Sequence, residues 1–384
     1  MTRVKPPLLT ILSIASPEMK YSALKHVVLI LQRAPRLFDA EYKSFFCGFS
    51  DPTYMKEVKV EVLELVAQRG NMHDIIAELS EYVRDVDVEF ASRSIKAIAK
   101  IAIKIPEVSQ HSLDRLLSFL QYEVDIISST TILALKDLIR KYPAKANEII
   151  SELEVWVHKL DDPEPKAAII WMLGEYGANT PNCPYIIEDV ISKWSQINPT
   201  VKLQLLTCSL KVFFKRPAEM KPILGQLFVK ATLDTNIDVH DRAYLYYRTL
   251  KAGKERNDFS SIEKIISSKK QPISSFAEDQ AYELTDQLFE EFESLSVIYG
   301  KPAVRFLKTE TPSETQQTQQ SSTSAKIPVQ LDTSLEDEEE VEDEEEGDEE
   351  EEEEEQQPQR SSQLTPERNS APPKAEPLIN LIDL

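Results

Sequence analysis

The sequence predicts an all-α fold, a HEAT/armadillo-like α-solenoid followed by a disordered acidic tail, and three observations carry the helical part. A small polar residue recurs at Ser16, Asp51, Asp87, Asp125, Asp162, Asn198 and Asn236, at intervals of 35, 36, 38, 37, 36 and 38 residues. A helix breaker follows each one: Pro35, Gly70, Pro106, Pro143, Pro181, Pro217 and Gly253. The stretches between are rich in Leu, Ile, Val and Ala, and the chain has only eight glycines, too few for a series of β-hairpin turns. Ser, Asp and Asn favour helix N-caps because the side-chain oxygen accepts an orphan backbone N–H. Pro17, Pro52, Pro163 and Pro199 directly follow four of these caps, and proline suits the first helical position. A long helix that recurs at this period, with room for a shorter return helix, is the mark of stacked helical repeats.

In chain order, Leu8–Ala15 forms a stub before the first long helix. Basic residues ahead of a short apolar run imitate a secretory leader there. Thr10 and Ser13 interrupt the run, and it leads straight into Ser16, so it reads as part of the array. With no polar capping repeat before it, the first unit is expected to carry a bare apolar outer face. That face would be covered by another chain or by an N-terminal part missing from this sequence. In the third unit, Ala91, Ile95, Ile98, Ala102 and Ile105 form one stripe at helical spacing, and Phe90, Ala97 and Ile101 form a second. A helix apolar on two faces lies between neighbours. The fourth unit repeats this with Ile132, Leu135, Ile139 and Tyr142, and the fifth with Ala168, Trp171, Met172 and Tyr176. After Gly253 the rhythm fails. Phe259–Ser268 and Phe276–Ser296 read as helices of an irregular C-terminal cap, which closes a solenoid domain over 1–307.

From Lys308 onward Gln, Ser, Thr, Pro and Glu dominate. Glu336–Glu355 holds 18 acids in 20 positions, and such a segment buries too little apolar area to offset its ordering entropy. Residues 308–384 therefore read as a disordered hinge. They carry a net charge of −19 of the chain's −21, so the body is close to neutral and offers no electrostatic footprint for nucleic acid. No segment has the ~18 consecutive apolar residues of a membrane span, so membrane contact is expected to be peripheral and the setting cytosolic.

The residues point away from catalysis. His26, His73, His111, His158 and His240 are dispersed, and none has a partner at metal-ligand spacing. Cys47, Cys183 and Cys208 sit far apart in apolar settings and read as small buried hydrophobes. No phosphate-cradling loop or nucleophile elbow occurs. No enzyme activity, cofactor or metal is expected. Two segments suggest binding instead. Asp241–Arg248 mixes arginines with tyrosines, the residue types enriched in interface hot spots, which makes Arg242, Tyr244, Tyr247 and Arg248 a candidate subunit interface. The bland alternative has Tyr244 and Tyr247 packing on the next helix while Asp241 and Arg242 support a turn. At the chain's end, Leu378, Ile379, Asn380, Leu381, Ile382, Asp383 and Leu384 return to bulky apolar character, as a short peptide that docks into a partner's groove does. The acidic run itself reads either as a solvating spacer or as a mimic of nucleic acid toward a basic partner. The second option would make the protein a stand-alone helical-repeat carrier or chaperone of basic proteins.

Several stretches resemble the β-adaptins, the large β subunits of heterotetrameric vesicle adaptors: IASPEMKYSALKHVVLILQRAP, EYVRDVDVEFASRSIKAIAKIAIKI, DLIRKYP, DDPEPKAAIIWMLGEYG, VKLQLLTCSLKVFFKRP and VHDRAYLYYR. NCPYIIEDVISKW, RPAEMKPILGQLF and FESLSVIYGKP look most like the β subunit of adaptor complex four. The resemblance covers about the second half of a family trunk, and no appendage follows the hinge. It implies a helical trunk that pairs with a second large subunit and cradles a medium and a small one. It also implies a coat that selects cargo on the cytoplasmic face of trans-Golgi or endosomal membranes and on coated vesicles. Leu381, Ile382, Asp383 and Leu384 resemble the first four places of a clathrin box, and in an overlapping frame Leu378, Ile379, Asn380 and Leu381 do so with Ile382 in the acidic place. Clathrin is thus implied as a further partner.

Overall fold

Each long amphipathic segment forms a helix, and all of the expected breakers but Gly253 lie where one helix gives way to the next. A computed structural model describes residues 3–177, 180–267 and 282–305, all within one structural unit. The helices run α1 (Lys5–Ile14), α2 (Pro17–Arg33), α3 (Thr53–Val66), α4 (Met72–Tyr82), α5 (Val88–Lys104), α6 (Ser109–Phe119), α7 (Asp125–Lys141), α8 (Ala146–Leu153) and α9 (Trp156–Lys159). They continue with α10 (Pro163–Tyr176), α11 (Cys183–Ser192), α12 (Pro199–Lys215), α13 (Pro217–Thr232), α14 (Ile237–Arg256), α15 (Phe259–Ile266), α16 (Tyr282–Glu290) and α17 (Ser296–Tyr299). No β-strand occurs among the described residues. The helices α2, α3, α5, α7, α10, α12 and α14 stack side by side in sequence order as one row. The shorter return helices pack behind them, α4 on α5, α6 on α7, α8 on α10 and α13 on α12 and α14. This is the all-α solenoid that the repeat predicts.

The caps follow the expected chemistry at four of seven positions. The Asp87 carboxylate accepts the Glu89 and Phe90 N–H groups, Asp162 that of Glu164, Asn198 that of Thr200 and Asn236 that of Val239. Ser16 holds the cap position of α2 without a side-chain bond. Two expectations shift by one residue. The cap of α3 is Pro52, and Asp51 instead accepts the Gly48 N–H (2.7 Å) and the Lys59 ammonium (2.6 Å), which ties the preceding loop to the helix. The cap of α7 is Val124, and Asp125 lies within the first turn, where a carboxylate faces the positive end of the helix dipole. Gly253 does not break α14, which continues to Arg256 and ends on left-handed Asn257 (φ 51°). The glycine serves a close approach: a Cβ there would lie 2.1 Å from Ile262 Cδ1 on α15.

One hydrophobic core runs continuously from Leu8 to Leu250. Phe90, Ala91, Ile95, Ala97, Ile98, Ile101, Ala102 and Ile105 are all buried, so α5 is sandwiched as its two stripes predict. Ile132, Leu135, Ile139, Ala168 and Met172 are buried too, while Tyr142, Trp171 and Tyr176 are partly buried against the core. The repeat period also appears in the polar bonds, because the last carbonyls of a helix have no partner inside it. The Lys104 ammonium donates to the Leu65 carbonyl (3.0 Å), the Tyr142 hydroxyl to Ala102 (2.9 Å), Lys215 to Glu175 (2.8 Å) and Lys230 to Ile191 (2.8 Å), each 39 or 40 residues back. Cations at these negative helix ends add a favourable charge–dipole contact.

The start of the array departs from expectation. The seven apolar positions Ala23, Leu24, Val27, Val28, Leu29, Ile30 and Leu31 of α2 are all buried within this chain, so its face is not bare. The covering elements are α1, α3 and the late segment α16–α17. That segment therefore docks on the first long helix, where the sequence placed it as a cap on the last.

Candidate docking surface on the last long helix

The first turns of α14 place His240, Tyr244 and Arg248 at four-residue intervals, one above the other on a single face. The His240 and Tyr244 rings meet at 4.6 Å, nearly edge to face, and the Arg248 guanidinium lies over Tyr244 at 5.9 Å. The Asp241 carboxylate bonds His240 Nδ1 at 3.0 Å. Together with Leu245 these residues line an open cavity of about 520 Å³. Leu245 is 61% exposed and Ile237, one turn before His240, is 74% exposed. The surface therefore offers an edge-to-face aromatic pair, a guanidinium, a carboxylate and two bare aliphatic side chains.

The candidate residues divide in the structure. Tyr244 and Arg248 come together at the cavity. Tyr247 turns inward and packs on Phe228 of α13, ring centroids 6.3 Å apart. Arg242 is exposed and is not among the cavity's lining residues. The tyrosine that bonds the neighbouring long helix is Tyr246, whose hydroxyl meets Thr207 Oγ1 on α12 at 3.1 Å. His240 and Leu245 are functional candidates that the residue-type argument passed over, and the spacing of 240, 244 and 248 was the signal available. Residues Leu378, Ile379, Asn380, Leu381, Ile382, Asp383 and Leu384 and the acidic run lie outside the described residues.

The remaining reactive groups are held inert. Burial pushes the Cys47 thiol up to about 12 and Cys183 to about 11, and holds Cys208 well above the ordinary thiol value, so none is a thiolate at neutral pH. His73 and His111 of successive return helices meet edge to face at 5.5 Å. Burial, with Arg115 and His73 nearby, lowers the His111 pKa. Among the described residues no three His, Cys, Asp or Glu side chains gather closely enough to hold a metal ion, and no helix is long and apolar enough to cross a membrane. What α14 can do chemically is grip another surface.

Comparison with known proteins gives this surface a context. Residues 1–254 match the family model described as the adaptin N terminal region. The chain is 42% identical over 310 residues to beta-adaptin-like protein A of Arabidopsis thaliana, covering 80% of this chain and 36% of that protein. It is 33% identical to AP-1 complex subunit beta-1 of Homo sapiens, covering 80% of this chain and 32% of that one. It is 34% identical to AP-4 complex subunit beta of Dictyostelium discoideum, covering 83% and 42%. The chain thus spans about a third to two fifths of these relatives' length. A homology model of the full-length AP-3 complex in an intermediate open conformation aligns with a TM-score of 0.54 at 18% identity, over 70% of this chain and 46% of that one. That likeness bears on the fold alone.

Proposed function

Since this chain belongs to the adaptin family, we infer that it works as the β-type large subunit of a heterotetrameric vesicle-coat adaptor. The observation that carries this reading is the likeness, over 80% of the chain, to β subunits of adaptor complexes. In this reading the solenoid is a scaffold and not an enzyme. It pairs with a second large subunit, holds a medium and a small one, and reaches trans-Golgi or endosomal membranes only through the assembled complex. The Ile237, Tyr244, Leu245 and Arg248 surface of α14, with Tyr244 half-buried and the other three exposed, is a subunit contact, because aromatic, guanidinium and aliphatic groups are what interface centres use. Residues 308–384 act as a hinge, and Leu378–Leu384 acts as a clathrin-box-like peptide at its end. The similarity to AP-1 and AP-4 subunits is nearly equal, 33% and 34%. The choice of adaptor type therefore rests on the sequence stretches that resemble adaptor complex four.

Affinity purification of the tagged chain from its own cells tests the reading. It should bring down a second large, a medium and a small adaptor subunit in comparable amounts, and recovery with none of them would reject it. A peptide of residues 376–384 should bind the clathrin terminal domain and lose that binding with Leu381→Ala and Leu384→Ala. An unmodified peptide that fails to bind removes clathrin from the partners.

A further inference from the structure

Three successive units leave a large apolar side chain bare at the same place, the junction ahead of a long helix. Phe49 before α3 is 103% exposed, Val86 before α5 is 96% exposed, and Ile126 in the first turn of α7 is 56% exposed, with Val124 beside it at 41%. The following junction ends the row, because Leu160 there is buried. The three junctions lie side by side. Thr53 Oγ1 donates to the Asp87 carboxylate of the next unit at 3.0 Å, and Arg84 Nε donates to the Tyr122 hydroxyl of the unit after at 3.2 Å. Single exposed apolar residues are ordinary, but a row that recurs along one rim marks an interaction surface.

Charge decides what this rim takes. Residues 47–54, 84–90 and 122–127 hold six carboxylates and one cation, Arg84, which is turned to Glu81 at 3.4 Å. Lys59 and Lys56 neutralise Asp51 and Asp85 at 2.6 and 2.8 Å, and Asp87 caps α5. Glu89, Glu123 and Asp125 stay exposed among the bare apolar residues, with Lys159 3.4 Å from Glu123. Such a set repels an anionic bilayer and attracts a basic polypeptide. Spacing decides the conformation. Packed helices lie about 8–10 Å apart. A polyproline II segment advances about 9 Å per three-residue turn, so every third residue falls on one face in step with the rim. A β-strand would turn alternate members of that set away.

We propose that the Phe49, Val86 and Ile126 rim is a docking site for an extended basic segment of a partner protein in the polyproline II conformation, with an apolar residue at every third position and Arg or Lys between. Phe49 supplies the aromatic platform on which such segments dock, and Glu89 and Asp125 meet the intervening cations.

Fluorescein-labelled (Leu-Arg-Pro)4 and (Gly-Arg-Pro)4, each titrated with the full chain, test the proposal. The two peptides carry the same charge, so the glycine peptide reports whatever the acidic run at 336–355 attracts, and the difference between the two belongs to the rim. The leucine peptide should bind at least about tenfold more tightly, since each leucine buries apolar area that glycine lacks. Phe49→Ser with Val86→Ser changes exposed positions and should erase that difference. Glu89→Gln with Asp125→Asn should weaken the leucine peptide by at least about threefold and flatten its dependence on salt. The proposal is overturned if the two peptides bind alike, if the Phe49→Ser/Val86→Ser chain still tells them apart, or if Glu89→Gln/Asp125→Asn changes nothing. It is overturned equally if vesicles of phosphatidylcholine and phosphatidylserine take up the unaltered chain but not the Phe49→Ser/Val86→Ser chain, which would make the rim a membrane contact.

Discussion

Replacing Gly174 with alanine should damage the array where two helix backbones come close. A Cβ at Gly174 of α10 would stand 2.8 Å from Cys208 Cα, 3.0 Å from its Cβ and 3.2 Å from its Sγ, all on α12. Carbon atoms are comfortable at about 3.5–4.0 Å, so the two backbones must part by roughly 0.7–1.2 Å. Overpacking of this kind costs about 1–3 kcal/mol, and here the nearest atom is main chain, which cannot rotate away. Alanine returns about 0.5–1 kcal/mol through its better helix propensity, which leaves a net loss of up to about 2.5 kcal/mol. For a body this large that lowers Tm by about 2–4 °C per kcal/mol. Gly70→Ala supplies the control, because no atom lies within 4 Å of its added Cβ, and its stability should be unchanged or slightly raised. Gly253→Ala should fall between them, since its clash is with the end of the Ile262 side chain. Urea and thermal unfolding followed by circular dichroism rank the three. Cys208→Ala should not rescue Gly174→Ala, because the closest atom is Cα. If Gly174→Ala proves as stable as Gly70→Ala, the close approach of α10 and α12 is wrong.

Three further outcomes are expected. The Asp234 carboxylate accepts from the Lys202 ammonium (2.7 Å) and the Trp194 indole N–H (2.9 Å) in a site where the two charged side chains are 4% and 11% exposed. Asp234→Ala leaves both donors unpaired and should cost about 3–5 kcal/mol, measured as a fall in urea midpoint. Burial raises the Asp234 pKa, but the Lys202 bond, the Asn236 N–H and the Trp194 N–H outweigh it and hold the group below the usual carboxylate range. A lowered folded pKa contributes stability above the unfolded value of about 3.9 and loses it as pH falls through the folded value. The advantage of the unaltered chain over Asp234→Asn should therefore be full at pH 6 and shrink below pH 4. On α14, Leu245→Asp with Arg248→Glu changes exposed positions and should move stability by no more than about 0.5 kcal/mol. The same pair should sharply reduce recovery of other adaptor subunits on affinity purification, and unaltered recovery would free α14 from that role.

Periodicity made the long helices legible, because burial on two faces imposes a two-stripe pattern that propensity alone does not produce. Cap positions were legible only to within a residue. Asp51 and Asp125 carry the right chemistry, yet Lys59 draws Asp51 into the loop and Asp125 enters the first turn of α7. Gly253 was misread because a glycine that admits a neighbour looks, in sequence, like one that ends a helix. The α14 surface was half legible. Residue type singled out Tyr244 and Arg248 and also Tyr247, but the 100° step per residue sends Tyr247 inward onto Phe228. The docking of α16 on α2 was not legible at all. It joins residues more than 250 apart, such as Arg33 and Asp286, and no local pattern encodes which distant face an amphipathic helix will choose.

The bonds that repeat with the period show how each unit of the array depends on the next. Lys104, Tyr142, Lys215 and Lys230 each complete the end of a helix one repeat earlier. Lys211 reaches back to Glu175 (3.0 Å) and Lys202 forward to Asp234 (2.7 Å) across the same distance in the array. Removing a repeat would therefore leave orphan carbonyls and unpaired charges as well as an apolar face, and each of these is costly when buried. The neighbours hold one another along the axis, so stability is a sum of nearest-neighbour terms. Exposed residues such as Leu245 and Arg248 contribute little to that sum. They can be shaped by what they bind without loosening the scaffold, which is why the candidate docking surface lies on the side of α14 and not in the seam between helices.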